Sequence, residues 1–116
     1  MKSLASISEK DIETIKLALN DSISDMNTEL RGELSDKNRD ALKDYKSKYT
    51  RVFEKLQQNN SLYALSESDL DIVAGGLNDA IDLIDETLTD DLSEEEKEEI
   101  LTYKNDCSRL VEILST

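Results

Sequence analysis

The chain has 116 residues, of which 37% are hydrophobic, 4% aromatic and 35% charged, with a formal net charge of −13. This length suits one domain with a core of mostly Leu, Ile, Val and Ala, and a chain with no Pro and three Gly argues against strands joined by turns. The charge argues against direct binding to nucleic acid or to anionic membranes and favours a basic surface as partner.

Four helix starts follow one another along the chain. Ile7 precedes Ser8, and Asp11 follows three positions later, so Ser and Asp can exchange bonds with each other's backbone N–H groups. Behind this start, Ile12, Ile15, Leu19, Ile23, Met26 and Leu30 recur at three- and four-residue intervals, the buried stripe of a first helix. Leu34-Ser35 opens a second helix, with a stripe of Leu42, Tyr45, Tyr49, Val52 and Leu56. Residues 57–64 read as a linker. Leu65-Ser66 with Asp69 opens a third helix, striped by Leu70, Val73, Leu77, Ile81, Ile84 and Leu88. Leu92-Ser93 with Glu96 opens a fourth, striped by Ile100, Tyr103, Cys107, Leu110 and Leu114. Each helix, at about 22 residues, would be roughly 33 Å long.

Shifting the chain by 58 residues lays 7–56 over 65–114 without a gap. Identical pairs include Ser8/Ser66, Asp11/Asp69, Leu19/Leu77, Asp21/Asp79, Tyr45/Tyr103 and Arg51/Arg109. The expected fold is all-α: an antiparallel four-helix bundle of two tandem helical hairpins, 7–58 and 65–114, within one domain covering 1–116.

Little in the sequence points to catalysis. There is no His, which removes His-based triads, metal ligands and acid–base pairs. Cys107 is the one cysteine and lies on the apolar stripe of the fourth helix, so it reads as a small core residue in a reducing compartment. Residues 85–91 are acidic but lack the Gly of a calcium loop, and Leu88 stands where an oxygen ligand is needed. No Glu-x-x-His of a di-metal bundle is present. Neither enzymatic activity, nor a metal, nor a cofactor is therefore expected. Residues 1–6 carry no apolar signal run, and no stretch reaches membrane-spanning length, which gives a cytoplasmic expectation. Asn20/Asp21 and Tyr45/Lys46 recur as Asn78/Asp79 and Tyr103/Lys104, and should face each other at mid-height within each hairpin.

Charge partition carries the functional reading. Residues 1–58 hold 11 basic and 11 acidic side chains, whereas residues 59–116 hold 3 basic and 16 acidic ones. Folding alone gives no reason to concentrate like charge in one half, since self-repulsion there costs stability. The expected function is a non-catalytic acidic protein-binding module, of inhibitor or immunity type, docking on the basic surface of a nucleic-acid-handling protein. Its expected contact residues are Asp79, Asp82, Asp85, Glu86, Asp90, Asp91, Glu94, Glu95, Glu98 and Glu99. A second reading comes from Thr14 and Asp25, whose counterparts are Ile72 and Leu83. With Gly75 and Gly76 these form an apolar strip on the outer face of the third helix, through which a structural or adaptor protein would form a homodimer.

Overall fold

In the computed structural model, which describes residues 4–115, four α-helices and two short 3-10 turns make up the regular structure, with no strand among the described residues. Of the N-terminal segment 1–6, residues 1–3 lie outside the described range. The helices are α1 (Glu9–Leu30), α2 (Asp36–Gln58), α3 (Glu67–Thr87) and α4 (Glu94–Ser115). The fold is the expected all-helical four-helix bundle.

All four helices start at the expected serines. The Ser8 hydroxyl accepts from the Asp11 N–H at 3.1 Å, and the Asp11 carboxylate accepts from the Ser8 N–H at 3.0 Å. The same reciprocal bonds join Ser66 with Asp69 (3.1 and 3.3 Å) and Ser93 with Glu96 (3.1 and 3.5 Å). Ser35 instead accepts from the Asn38 N–H at 3.2 Å, with no capping box closing behind it. Replacing Ser66 by Ala is therefore expected to cost about 1 kcal/mol, and replacing Ser35 about half as much. Urea melts of the two variants check this, and equal losses would mean that the return bond contributes nothing.

Ile12, Ile15, Leu19, Met26, Tyr49, Val52, Leu56, Leu70, Val73, Leu77, Ile84, Cys107, Leu110 and Leu114 are buried as the periodicity predicts. Leu62 and Leu65, from the connection between α2 and α3, complete the core. Tyr45 departs from the expectation: it is 54% exposed.

The helices do not form a square. α1 packs on α2, and α3 packs on α4, as hairpins, but the diagonal pair α1 and α3 also pack closely on each other. The molecule is accordingly flat, with extents of 43 × 38 × 24 Å. The glycine pair of α3 makes this approach possible. A Cβ on Gly76 would lie 2.8 Å from Leu19 Cδ2 and 3.8 Å from the Leu19 Cα. One turn along α1, the Ser22 hydroxyl donates to the Gly76 carbonyl at 3.4 Å. A Cβ on Gly75 would meet the Tyr49 hydroxyl at 2.9 Å.

The expected outward strip is thereby corrected. Gly76 is buried against α1, Gly75 faces Tyr49 of α2, and Ile72 and Leu83 are half-buried rather than on an open face. Ile72 packs against the core of the same chain, so burial inside the bundle accounts for it, whereas Leu83 is half-buried and stays partly open.

Candidate binding grooves

The two hairpins are held together most firmly at the end where α1 and α3 begin. Arg109 of α4 donates to Asp11 of α1 at 2.5 Å. Lys55 of α2 donates to Asp69 of α3 at 2.7 Å, and Arg51 lies 3.6 Å from the same carboxylate. These contacts hold Asp11 and Asp69 below the usual carboxylate range, chiefly through the Arg109 and Lys55 hydrogen bonds. Both acids also cap their own helices, so one carboxylate ties a helix start to the opposite hairpin.

Toward the hairpin tips such ties are fewer, and two grooves open, one on each side of the α1–α3 contact. The first, of about 350 Å³, lies on the α2 side and is a carboxylate cleft. α1 contributes Asp25 and Glu29, and α3 contributes Asp79, Asp82 and Glu86, above an apolar floor that includes Met26, Leu42 and Leu83. The second, of about 380 Å³, lies on the α4 side and has a largely apolar lining that includes Ala80, Leu83, Ile84, Ile100 and Tyr103.

Crowding of like charge is visible in the cleft. The Tyr49 hydroxyl donates to Asp79 at 3.0 Å, yet burial pushes the Asp79 carboxyl above its ordinary value, and the neighbouring charges of Asp82 and Asp25 push it further. Across the α1–α3 contact, Asp21 accepts from the Tyr103 hydroxyl at 3.4 Å and is likewise raised by burial. Both tyrosine hydroxyls are themselves pushed up, first by burial and also by the carboxylates beside them. The expectation that these tyrosines and acids pair within each hairpin is corrected. Tyr103 of α4 reaches Asp21 of α1, and Tyr49 rather than Tyr45 serves Asp79. Both bonds run between hairpins, because α1 and α3 occupy the centre and present these faces to the opposite hairpin's outer helix. Lys104 to Asp85, at 2.6 Å, joins the two helices of the second hairpin.

Stability should accordingly vary with pH in two opposing ways. Asp21 and Asp79 have raised folded values, so they favour the folded state when protonated, and that stabilisation is lost as pH rises through those values. Asp11 and Asp69 have lowered values, so their contribution is present above 3.8 and is lost as pH falls through their folded values. The melting temperature is expected to rise on acidification from neutral as Asp21 and Asp79 take up protons, and to fall in stronger acid as Asp11 and Asp69 do. Asp21→Asn with Asp79→Asn should flatten the rising limb, and a wild-type profile that falls steadily from neutral pH would contradict the assignment.

The ten acids expected as one contact surface are divided by the fold. Asp79, Asp82 and Glu86 line the cleft, while Asp85 pairs with Lys104 on the α4 side of α3. Asp90 and Asp91 lie in the α3–α4 turn, and Glu94, Glu95, Glu98 and Glu99 are exposed on the first turns of α4. Asp25 and Glu29 were not among the expected acids, although four residues apart on α1 they share a helix face. Nothing in the sequence placed that face against α3. Cys107 is fully buried, and burial pushes its thiol up to about 11, which leaves it protonated at neutral pH.

No group of three or more acidic or Cys side chains among the described residues converges as a metal-holding set, and no helix there is long and apolar enough to cross a membrane. Comparison with protein-family models, curated sequences and solved structures gives no match to this chain.

Proposed function

We propose that this four-helix protein is a non-catalytic binding module that seats a basic protein surface in the carboxylate cleft between α1 and α3. One observation carries the reading: five carboxylates from both hairpins gather along one groove, where burial and mutual repulsion already push Asp79 upward. A cation entering the cleft relieves that repulsion, so the acids gain from a partner what folding does not supply. Met26, Leu42 and Leu83 on the floor offer apolar contact beneath the charges. The partner class is a protein with a dense Lys/Arg surface, such as one that handles nucleic acid, and occupying that surface would inhibit it. The 58-residue offset fits descent from one duplicated hairpin, and a single protonated thiol fits the cytoplasm. Around Gly75 and Gly76 the face expected to form a homodimer is filled by α1 and by Tyr49 of the same chain, which favours a different molecule as partner.

The reading is tested with a Lys/Arg-rich peptide titrated at rising ionic strength. Affinity is expected to fall about tenfold or more between about 50 and about 300 mM salt, mostly through a slower on-rate. No binding at low salt, or binding indifferent to salt, would remove the proposal.

A further inference from the structure

The groove on the α4 side has the same wall spacing as the cleft but the opposite chemistry. Its α1 wall is Asp21, Ser24, Asp25 and Thr28, and its α3 wall is Ala80, Leu83, Ile84 and Thr87. Adding 58 to the cleft's α1 wall (Ser22, Asp25, Met26, Glu29) gives the apolar groove's α3 wall, and adding 58 to Leu42 gives Ile100. Along that wall Ser22 is answered by Ala80, Asp25 by Leu83 and Glu29 by Thr87. The same shape has thus been emptied of charge on one wall.

Both walls follow the i, i+3, i+4, i+7 pattern, so two parallel helices line the groove over two turns, roughly 10 Å. A trough with ridges at that spacing is the shape that another helix fills, its own side chains seated between the ridges. α4 closes the far side with Ile100 and the Tyr103 ring. The α1 edge carries Asp21 and Asp25, the exposed Glu98 and Glu99 immediately precede Ile100, and no Lys or Arg is among the lining residues. Charge complementarity therefore selects what flanks the occupant's apolar face.

We infer that the α4-side groove takes the apolar face of an amphipathic helix of a partner protein, flanked by Lys or Arg. The inference goes beyond the cleft: the two grooves share only Asp25 and Leu83, and either can operate without the other.

The test uses an 18-residue Leu/Lys peptide patterned as an amphipathic helix and an isomer of the same composition with the pattern scrambled. The patterned peptide is expected to bind at least tenfold more tightly and to gain helicity on binding. Ser24→Arg with Thr87→Arg changes two exposed positions that line this groove and not the cleft. It should cut that affinity at least tenfold further than Ser68→Arg with Asn78→Arg, which adds the same charge at exposed positions lining neither groove. Equal binding of the two isomers, or equal effects of the two double variants, would overturn the inference. So would a dimer in sedimentation that Thr87→Arg dissociates, since the occupant would then be a second copy of this chain. Failure of the cleft reading has a separate signature: Asp82→Lys would leave binding of the scrambled isomer unchanged.

Discussion

Replacing Gly76 by Val should destabilise the bundle by about 2–3 kcal/mol, although Val is a better helix former than Gly. The added Cβ would stand 2.8 Å from Leu19 Cδ2, and Leu19 is itself fully buried, so its side chain has no room to withdraw. Relief requires α1 and α3 to part, which would also break the bond from the Ser22 hydroxyl to the Gly76 carbonyl. Gly75 provides the control. A Cβ there meets only the end of the Tyr49 side chain, and that residue can shift by a few tenths of an ångström. The gain of about 1 kcal/mol in helix propensity should then leave Gly75→Ala within about 0.5 kcal/mol of the wild type. Denaturant midpoints measure both. A Gly76→Val protein as stable as the wild type would show that α1 and α3 are not in close contact at this point.

Reversing Asp82 and Glu86 to Lys is expected to weaken capture of a Lys/Arg-rich peptide by about 100-fold or more at low salt. Each reversal replaces an attraction by a repulsion within a few ångströms of the bound cation, worth about 1 kcal/mol or more per site at the dielectric of a protein surface. Both side chains are exposed, so helical content should not change. Folding stability should hold or rise slightly, because the charge crowding at Asp79 is relieved. The decisive comparison is Asp90→Lys with Asp91→Lys, which makes the same change of net charge in the α3–α4 turn, outside the cleft. A site predicts a far larger loss from the first pair. Equal losses from the two pairs would mean that capture reflects only the net charge of −13, and the cleft would lose its role.

The local features were legible in the sequence for a physical reason: each depends on contacts a few residues apart. Ser8 with Asp11 and Ser66 with Asp69 lie one helical turn from each other, so a capping box can be read wherever the spacing occurs. The stripes of α1 and α3 likewise predicted most of the buried leucines and isoleucines, although Ile23, Leu30, Ile81 and Leu88 are only half-buried. Tyr45 and Tyr49 both lie on the α2 stripe, yet only Tyr49 is buried, because periodicity reports a direction around the helix and not whether a neighbour is present along its length. Asp25 and Glu29 were missed as site residues for the same reason. Their face on α1 is apparent, but the helix opposite it is not.

Sequence alone determined four helices, where each begins, most of the residues that lie inside, and a net charge weighted toward the second half. The tertiary structure decided that α1 meets α3 across the diagonal, and so turned an apparent outer strip into an internal contact and divided ten acids among a cleft, an ion pair, a turn and an open helix face. Helix starts and stripes follow from interactions within one or two turns. Which helices become neighbours depends on small differences in side-chain volume at distant positions, here the space that two glycines leave for Leu19 and Tyr49.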